Sequence, residues 1–152
     1  MSTRLQLGDL APKFSLIDQN GDRFDFDPQY QQRKLVLFFY PKDDSPICTR
    51  QACAFRDAYS DLQQRGVDVV GINAGSIVSH RAFAQNHRLK FRLLCDVNQA
   101  VLKRFGVRKV GFFTGRETFV IDEAGKIIFI YRQFFRGKSQ LSKVLAFLEA
   151  NA

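Results

Sequence analysis

The chain is predicted to adopt an α/β fold, a mixed central β-sheet flanked by helices, with a β-hairpin at its N-terminal side. Three features point to it. Strand-like and helix-like patterns alternate along the chain; KLVLFFY, ending at Tyr40, has no polar face; and the paired runs ETFVID and KIIFIY are separated only by Glu123-Ala124-Gly125. A strand without a polar face belongs inside a sheet covered on both sides. Two strands joined by a short Gly-containing loop read as an antiparallel pair, which makes the sheet mixed.

Taken in order, FSLID and RFDFD flank Asn20-Gly21, a two-residue hairpin signal. Pro28 and the QYQQR stretch follow as a loop, then the buried strand KLVLFFY. The next helix places Phe55, Ala58, Tyr59 and Leu62 at i, i+3, i+4, i+7 and closes at Arg65-Gly66. That stripe should face the sheet. VDVVGIN from Val67 is a second central strand, completing a βαβ unit whose crossover should be right-handed. Ser76 is placed to cap a helix running to about Asn86; FRLLCD is a short strand carrying Cys95; Val97 to Phe105 is a short helix ending at Gly106. The last helix aligns Leu141, Val144, Leu145 and Leu148 on one face, which must dock on the sheet. Internal repeats, linkers and low-complexity segments are absent.

With 152 residues, 45% of them hydrophobic and 16 of them Phe, the chain can bury a substantial core, and residues 1–152 are expected to form a single domain. The longest wholly apolar run, Leu35 to Tyr40, is far short of the ~20 residues a membrane helix needs, and MSTRLQLGDL is too polar for a signal peptide. A cytoplasmic protein is expected. The net charge of +8 raises the question of nucleic acid, yet the cations fall in small groups: Arg88, Lys90 and Arg92; Lys103, Arg104, Arg108 and Lys109; Arg132, Arg136 and Lys138. RQFFRGK interleaves aromatics with cations as single-strand binders do, but a solvated face explains it more simply. Nucleic acid is therefore not expected as a partner, while acidic proteins could be steered by the charge.

Three cysteines are too few for a disulfide scaffold and suit catalytic or redox use in a reducing compartment. The stretch from Tyr40 to Phe55, YPKDDSPICTRQACAF, gives one of them a special setting. Ser45 is a preferred N-cap type and Pro46 suits the first helical position, so Cys48 falls in the first turn, among backbone N–H groups without intrahelical partners. Those groups and the helix dipole favour thiolate over thiol. Cys53 lies five residues on, on the same helix.

A mixed sheet with a cysteine where a central strand gives way to a helix resembles the thioredoxin-like architecture. More specifically, PKDDSPIC matches the peroxiredoxin pattern PxxxSxxC, and FYPKDDSPICTRQACAFRD is similar to the Q-type subgroup, also called bacterioferritin comigratory protein. SIVSHRAFAQ, FRLLCD and GRETFVIDEAGKI resemble the same family's later segments in the same order. The likeness runs from about Gly8 to the C-terminal helix.

This resemblance implies a thiol-dependent peroxidase acting on hydrogen peroxide or small alkyl hydroperoxides. Cys48 would be the peroxidatic nucleophile, oxidised to a sulfenic acid. Ser45 would offer its hydroxyl to the peroxide, Arg116 would face the thiolate and the developing oxyanion, and Pro41 would shield the pocket. Cys53 would resolve the sulfenate as an intramolecular disulfide, recycled by thioredoxin or a similar dithiol protein. Residues five apart on an intact helix have Cα atoms ~8 to 9 Å apart, whereas a disulfide wants under ~7 Å, so the segment around Pro46 to Arg56 would have to rearrange. The thiol is itself the redox centre, so no haem, flavin or metal is required. A resolving cysteine in the same helix removes the need for a second subunit, and a monomer is expected.

Against the family pattern, Gln51 stands where Glu is usual, Ile47 where Gly is common and Cys95 where Ser is more usual. Gln51 would hold Arg116 without a charge, Ile47 would make the approach to Cys48 more apolar, and Cys95 reads as a small buried residue rather than an alternative resolving thiol. Asp43 and Asp44 would disfavour a thiolate if turned inward and are expected to face solvent. His80 and His87 read as helix-surface or capping residues. Two rival readings are a thiol-disulfide reductase, which the absence of CxxC disfavours, and a redox-switch or basic binding protein without peroxidase turnover.

Overall fold

The computed structural model describes residues 4–133 and 137–151, the side chains of residues 137–139 excepted. Its main sheet has five strands: β3 (Lys34–Phe39), β4 (Val67–Asn73), β5 (Arg92–Cys95), β8 (Glu117–Ile121) and β9 (Ile127–Arg132). Their order is β5-β4-β3-β8-β9, with β3, β4 and β5 parallel and β8 and β9 antiparallel to their neighbours. KLVLFFY thus occupies the middle of a mixed sheet, as its uniformly apolar pattern requires.

Alternate residues of β3 feed two separate cores. Val36, Phe38 and Tyr40 point to the face covered by α1 (Pro46–Gln64), α2 (Ile77–Asn86) and α4 (Gly137–Ala150). Leu35, Leu37 and Phe39 point to the opposite face, covered by α3 (Ala100–Arg104) and the hairpin of β1 (Phe14–Ile17) with β2 (Arg23–Phe26). The predicted stripe of α1 enters the first core: Phe55 stacks on Phe38 with ring centroids 4.8 Å apart, and Leu62 is fully buried. Truncating Phe55 to Ala would cost about 3–5 kcal/mol, the usual loss for a buried aromatic. Val144 and Leu148 of α4 close the same core beside α1.

Local details depart from the sequence reading where side chains override local turn preference. The Asn20-Gly21 turn is not a two-residue loop: pairing stops at Ile17 opposite Arg23, and residues 18–22 form the connection. The Asp18 carboxylate organises it by accepting from the backbone N–H groups of Asn20 (2.8 Å) and Asp22 (3.0 Å), while Gly21 takes φ +81. Gln19 then pairs with the backbone of Phe91 and Leu93, pinning the hairpin to the start of the β5 edge. The QYQQR loop contains a short 3-10 helix, Pro28–Tyr30. The third helix is shorter than Val97 to Phe105 because Asp96 accepts from the N–H groups of Val101 and Leu102, so the helix starts only after Gln99 in a left-handed conformation. A small hairpin, β6 (Lys109–Val110) with β7 (Phe113–Thr114), has no counterpart in the sequence reading. The segment RQFFRGK falls largely outside the described residues.

Candidate active site

The chain leaves β3 at Phe39, turns through Pro41–Asp44 and enters α1 at Pro46 with Ser45 as N-cap. Pro46 at the first helical position fits its fixed φ, and Cys48 occupies the first turn, 1% exposed. Arg116 arrives from the far side of the sheet order, immediately before β8, and is 4% exposed. Its Nη2 donates to the Cys48 Sγ at 3.2 Å, and its Nη1 donates to the side-chain Oε1 of Gln51 one helical turn beyond. A cation held against a sulfur in a dry setting stabilises the thiolate.

The backbone beneath Arg116 is held firmly. A Cβ on Gly115 would lie 2.0 Å from the Arg108 carbonyl oxygen, so only glycine lets these two chain segments pass. Next to Arg116, the buried Glu117 carboxylate accepts from the Arg108 N–H (3.1 Å), Arg4 Nη2 (2.8 Å) and Arg132 Nε (2.9 Å). Three donors satisfy that buried charge.

The predicted site residues converge unevenly. Pro41 borders a cleft of about 260 Å3 shared with Lys42, Asn73, Phe112, Phe113 and Thr114, with the aromatic tip of the β6–β7 hairpin over it. A larger cleft of about 800 Å3 lies between the N-terminal hairpin and α3 and contains none of the predicted residues. Ser45 is the N-cap residue, but its hydroxyl makes no cap hydrogen bond; it donates to the Lys42 carbonyl at 3.1 Å, closing the loop on itself. The expected capping by this side chain is therefore corrected. Cys53 lies half-buried on the intact helix, and all three cysteines are free thiols. Gln51 is fully buried, and its Nε2 finds no acceptor among the described residues, a loose end that a carboxylate would not leave.

The sequence reading missed a buried polar cluster behind the Cys48 loop. Asp43, expected in solvent, is 7% exposed and accepts from the Tyr40 hydroxyl (2.6 Å), the Ser79 hydroxyl (2.6 Å) and His80 Nδ1 (2.7 Å). His80, expected on a helix surface, is fully buried, and its Nε2 lies 2.9 Å from the Leu94 carbonyl oxygen. Burial pushes the Asp43 carboxyl up, but His80 and the two hydroxyls outweigh it and hold the group below its ordinary range. Tyr40 is driven well above its ordinary range by burial and the adjacent Asp43 charge, so it remains a hydroxyl donor. Asp44 keeps to the surface, as expected, with φ 62 and a 3.0 Å contact to His87, the C-cap of α2. Cys95, buried at the end of β5, is pushed up to about 11 by burial and by the charges of Asp43 and Asp18. No local pattern in the sequence signals this cluster, because the histidine that meets Asp43 lies 37 positions further along the chain.

Among the described residues, no group of three or more His, Cys, Asp or Glu could hold a metal ion, and no helix is long and apolar enough to cross a membrane. Residues 7–130 match the AhpC/TSA family. The chain is 39% identical over 149 residues to the chloroplastic peroxiredoxin Q of Arabidopsis thaliana, covering 97% of this chain and 68% of that protein. It is 36% identical over 148 residues to the chloroplastic peroxiredoxin Q of Triticum aestivum, covering 96% and 68%. Among solved structures, the peroxidoxin BcpB of Mycobacterium tuberculosis superposes with a TM-score of 0.88 at 32% identity, covering 97% of this chain and 98% of that one. A cysteine-to-serine mutant of PrxQ from Xylella fastidiosa shares the fold, with a TM-score of 0.89 at 23% identity over 98% of both chains. These likenesses and the expected thioredoxin-like sheet coincide: the chain belongs to the AhpC/TSA family, in its peroxiredoxin Q branch, and is a thiol-dependent peroxidase.

Proposed function

We propose that Cys48 is the thiolate that attacks the hydroperoxide, and the observation carrying this is the 3.2 Å contact of Arg116 Nη2 with the Cys48 sulfur in a buried setting. The sulfur attacks the distal oxygen in line; the O–O bond breaks, its electron pair leaves on the alkoxide or hydroxide, and a proton from solvent gives the alcohol or water. Cys48 is left as the sulfenic acid. Arg116 lies where it can face both the sulfur and the departing oxygen. Ser45 serves by exchanging its Lys42 acceptor for the peroxide, a rotation of one side-chain bond. Pro41 opens the loop that leads to Cys48 and limits water there. Ile47, half-buried beside the cysteine, favours small apolar hydroperoxides as well as hydrogen peroxide.

In the second half of the cycle the Cys53 thiol condenses with the sulfenic acid, forming the S–S bond and releasing water. Both residues lie within the continuous helix Pro46–Gln64, so its first turns unwind for the sulfurs to meet. A dithiol protein of the thioredoxin type then reduces the disulfide. The molecule works as a monomeric, single-domain enzyme over residues 1–152 in a reducing compartment, the cytoplasm, where a chain with only three cysteines uses them for redox chemistry rather than as a scaffold. Membrane and nucleic acid are not partners in this reading. Catalytic NADPH consumption with thioredoxin, its reductase and peroxide tests it; stoichiometric oxidation without turnover would favour a redox switch instead. Mass spectrometry after one equivalent of peroxide should find the 48–53 disulfide in the parent and Cys48 sulfenate in Cys53→Ser. Retained peroxidase activity through Cys95 in that variant would reassign the resolving thiol.

A further inference from the structure

The cluster around Asp43 has no role in the chemistry described above, yet it sits directly behind the loop that carries Cys48. Asp43 lies two residues before the N-cap Ser45, and its carboxylate receives hydrogen bonds from three directions: Tyr40 at the end of β3, and Ser79 and His80 on α2. His80 in turn reaches the Leu94 carbonyl of β5 with its other ring nitrogen, at 2.9 Å. Both ring nitrogens therefore face oxygens that can accept, and both are satisfied if each carries a hydrogen, as in the imidazolium. The carboxylate opposite already accepts two hydroxyl hydrogens, which favours its ionised form and leaves the shared proton on the ring.

We infer that the Asp43–His80 ion pair is a positioning device for the peroxidatic loop, fixing it on α2 and β5 so that the first turn of α1 presents Cys48 to Arg116. The inference rests on the assignment of Cys48 as the peroxidatic thiol. Arg116 approaches from the β8 side of the sheet, and the loop is held from the β5 side; the contact between them depends on both anchors. A second tack, Asp44 to His87 at 3.0 Å, is exposed and adds little. The other ionisable groups around the pair are Tyr40 from β3, Cys95 from the end of β5 and, beyond it, Asp18 of the hairpin connection. Tyr40 and Cys95 are both held in their neutral forms, so neither adds a charge beside the pair.

The test has one arm needing no variant. In the reduced parent at pH 7.5, nitrogen-15 spectra of His80 should show both ring nitrogens protonated; an unprotonated Nδ1 overturns the ion pair, whether or not the protein turns over peroxide. The second arm compares two reactions of Cys48: peroxide consumption, by competition with a haem peroxidase, and alkylation by iodoacetamide, read by mass spectrometry. His80→Ala and Asp43→Ala should lower the peroxide rate constant about tenfold or more and alkylation by a clearly smaller factor, because alkylation needs only the thiolate that Arg116 favours, whereas peroxide reduction also needs Arg116 aligned with the departing oxygen. Asp43→Asn can keep every contact with a neutral ring, donating one amide hydrogen to Nδ1 and the other to the Ser79 oxygen, and should remain within about threefold of the parent. Ser79→Ala buries no unpaired charge and should fall about twofold to fivefold, which keeps the test open should the alanine variants at 43 and 80 not fold. Folded variants with parental peroxide rates, or with both rates falling together, would overturn the positioning role. A parent that consumes no peroxide would instead count against the Cys48 assignment, with the ring spectrum still deciding the pair.

Discussion

Two buried thiols lie near the same end of the sheet, and their surroundings are opposite in sign. Cys48, 1% exposed, has the Arg116 guanidinium 3.2 Å from its sulfur and stands in the first turn of a helix. Cys95, 9% exposed, has neither; burial together with the Asp43 and Asp18 carboxylates pushes its thiol up to about 11. Burial alone therefore does not decide whether a cysteine reacts. What decides it is which charges accompany the sulfur out of water, since a unit charge at a few ångströms in a poorly solvated site outweighs the modest difference in exposure. Asp43, on the loop that leads to Cys48, is one of the charges that raise Cys95, and His80 pairs with it.

The comparison is broken most forcefully by removing the cation. Arg116→Ala should lower the rate constant for peroxide reduction by about 100- to 1,000-fold, the usual loss for a donor aimed at developing charge. A loss below tenfold in competition kinetics would mean that the contact at Cys48 is not what separates the two thiols. Next in size is the reactivity contrast itself. With its thiol raised to about 11, Cys95 should be ionised in only about one molecule in a thousand at pH 8, so iodoacetamide should label Cys48 and spare Cys95 until the solution is strongly alkaline. Equal labelling at pH 8 by peptide mass spectrometry would erase the distinction.

The same contrast extends to stability. A thiol whose folded value lies above its unfolded one stabilises the fold below about pH 8.5 and loses that contribution as pH rises toward 11. Denaturant titrations of the parent and Cys95→Ser should diverge by on the order of 2 to 3 kcal/mol across that window, the serine variant losing less. Asp43 acts in the opposite window: its carboxyl is held low, so its contribution is present above the unfolded value near ~3.9 and disappears as pH falls further. Asp43→Asn should flatten the acid limb of the stability curve. On oxidation, amide hydrogen exchange should accelerate across Pro46 to Arg56 and leave β5 around Cys95 unchanged; equal protection in a verified 48–53 disulfide form would count against unwinding. The smallest effect is expected from Gln51→Glu, which replaces a neutral acceptor of Arg116 by a charged one and should change the peroxide rate by no more than about fivefold, upward if firmer anchoring dominates.

Much of this arrangement was legible in the linear chain. The apolar run of β3, the stripe of α1, the Ser76 cap of α2, which accepts from the Ser79 N–H, and the β8–β9 pair all follow from periodicity and end signals. Cys48 and Arg116 came from short motifs, and the structure brings them together although they are 68 positions apart. Local patterns failed where a side chain from a distant segment took over. KDDS reads as a polar turn, and nothing in its pattern says that Asp43 goes inward; of its three donors only Tyr40 is local, and the other two are 36 and 37 positions away on α2. Ser45 takes the cap position, but its hydroxyl is spent on Lys42 rather than on a helix N–H, because the tight loop brings that carbonyl within 3.1 Å.

Residue order alone was enough to settle the succession of the main-sheet strands and the four α-helices, the thiol at a helix start and membership of the family. Each of those depends on neighbours within a turn or two, or on a motif that can be matched position by position. The partners of each buried charge were settled only by the folded chain, and with them the contrast between Cys48 and Cys95. Electrostatic interactions in a poorly solvated interior depend on separation in space, and the residues that supply them here come from strands and helices that meet only after the sheet has formed.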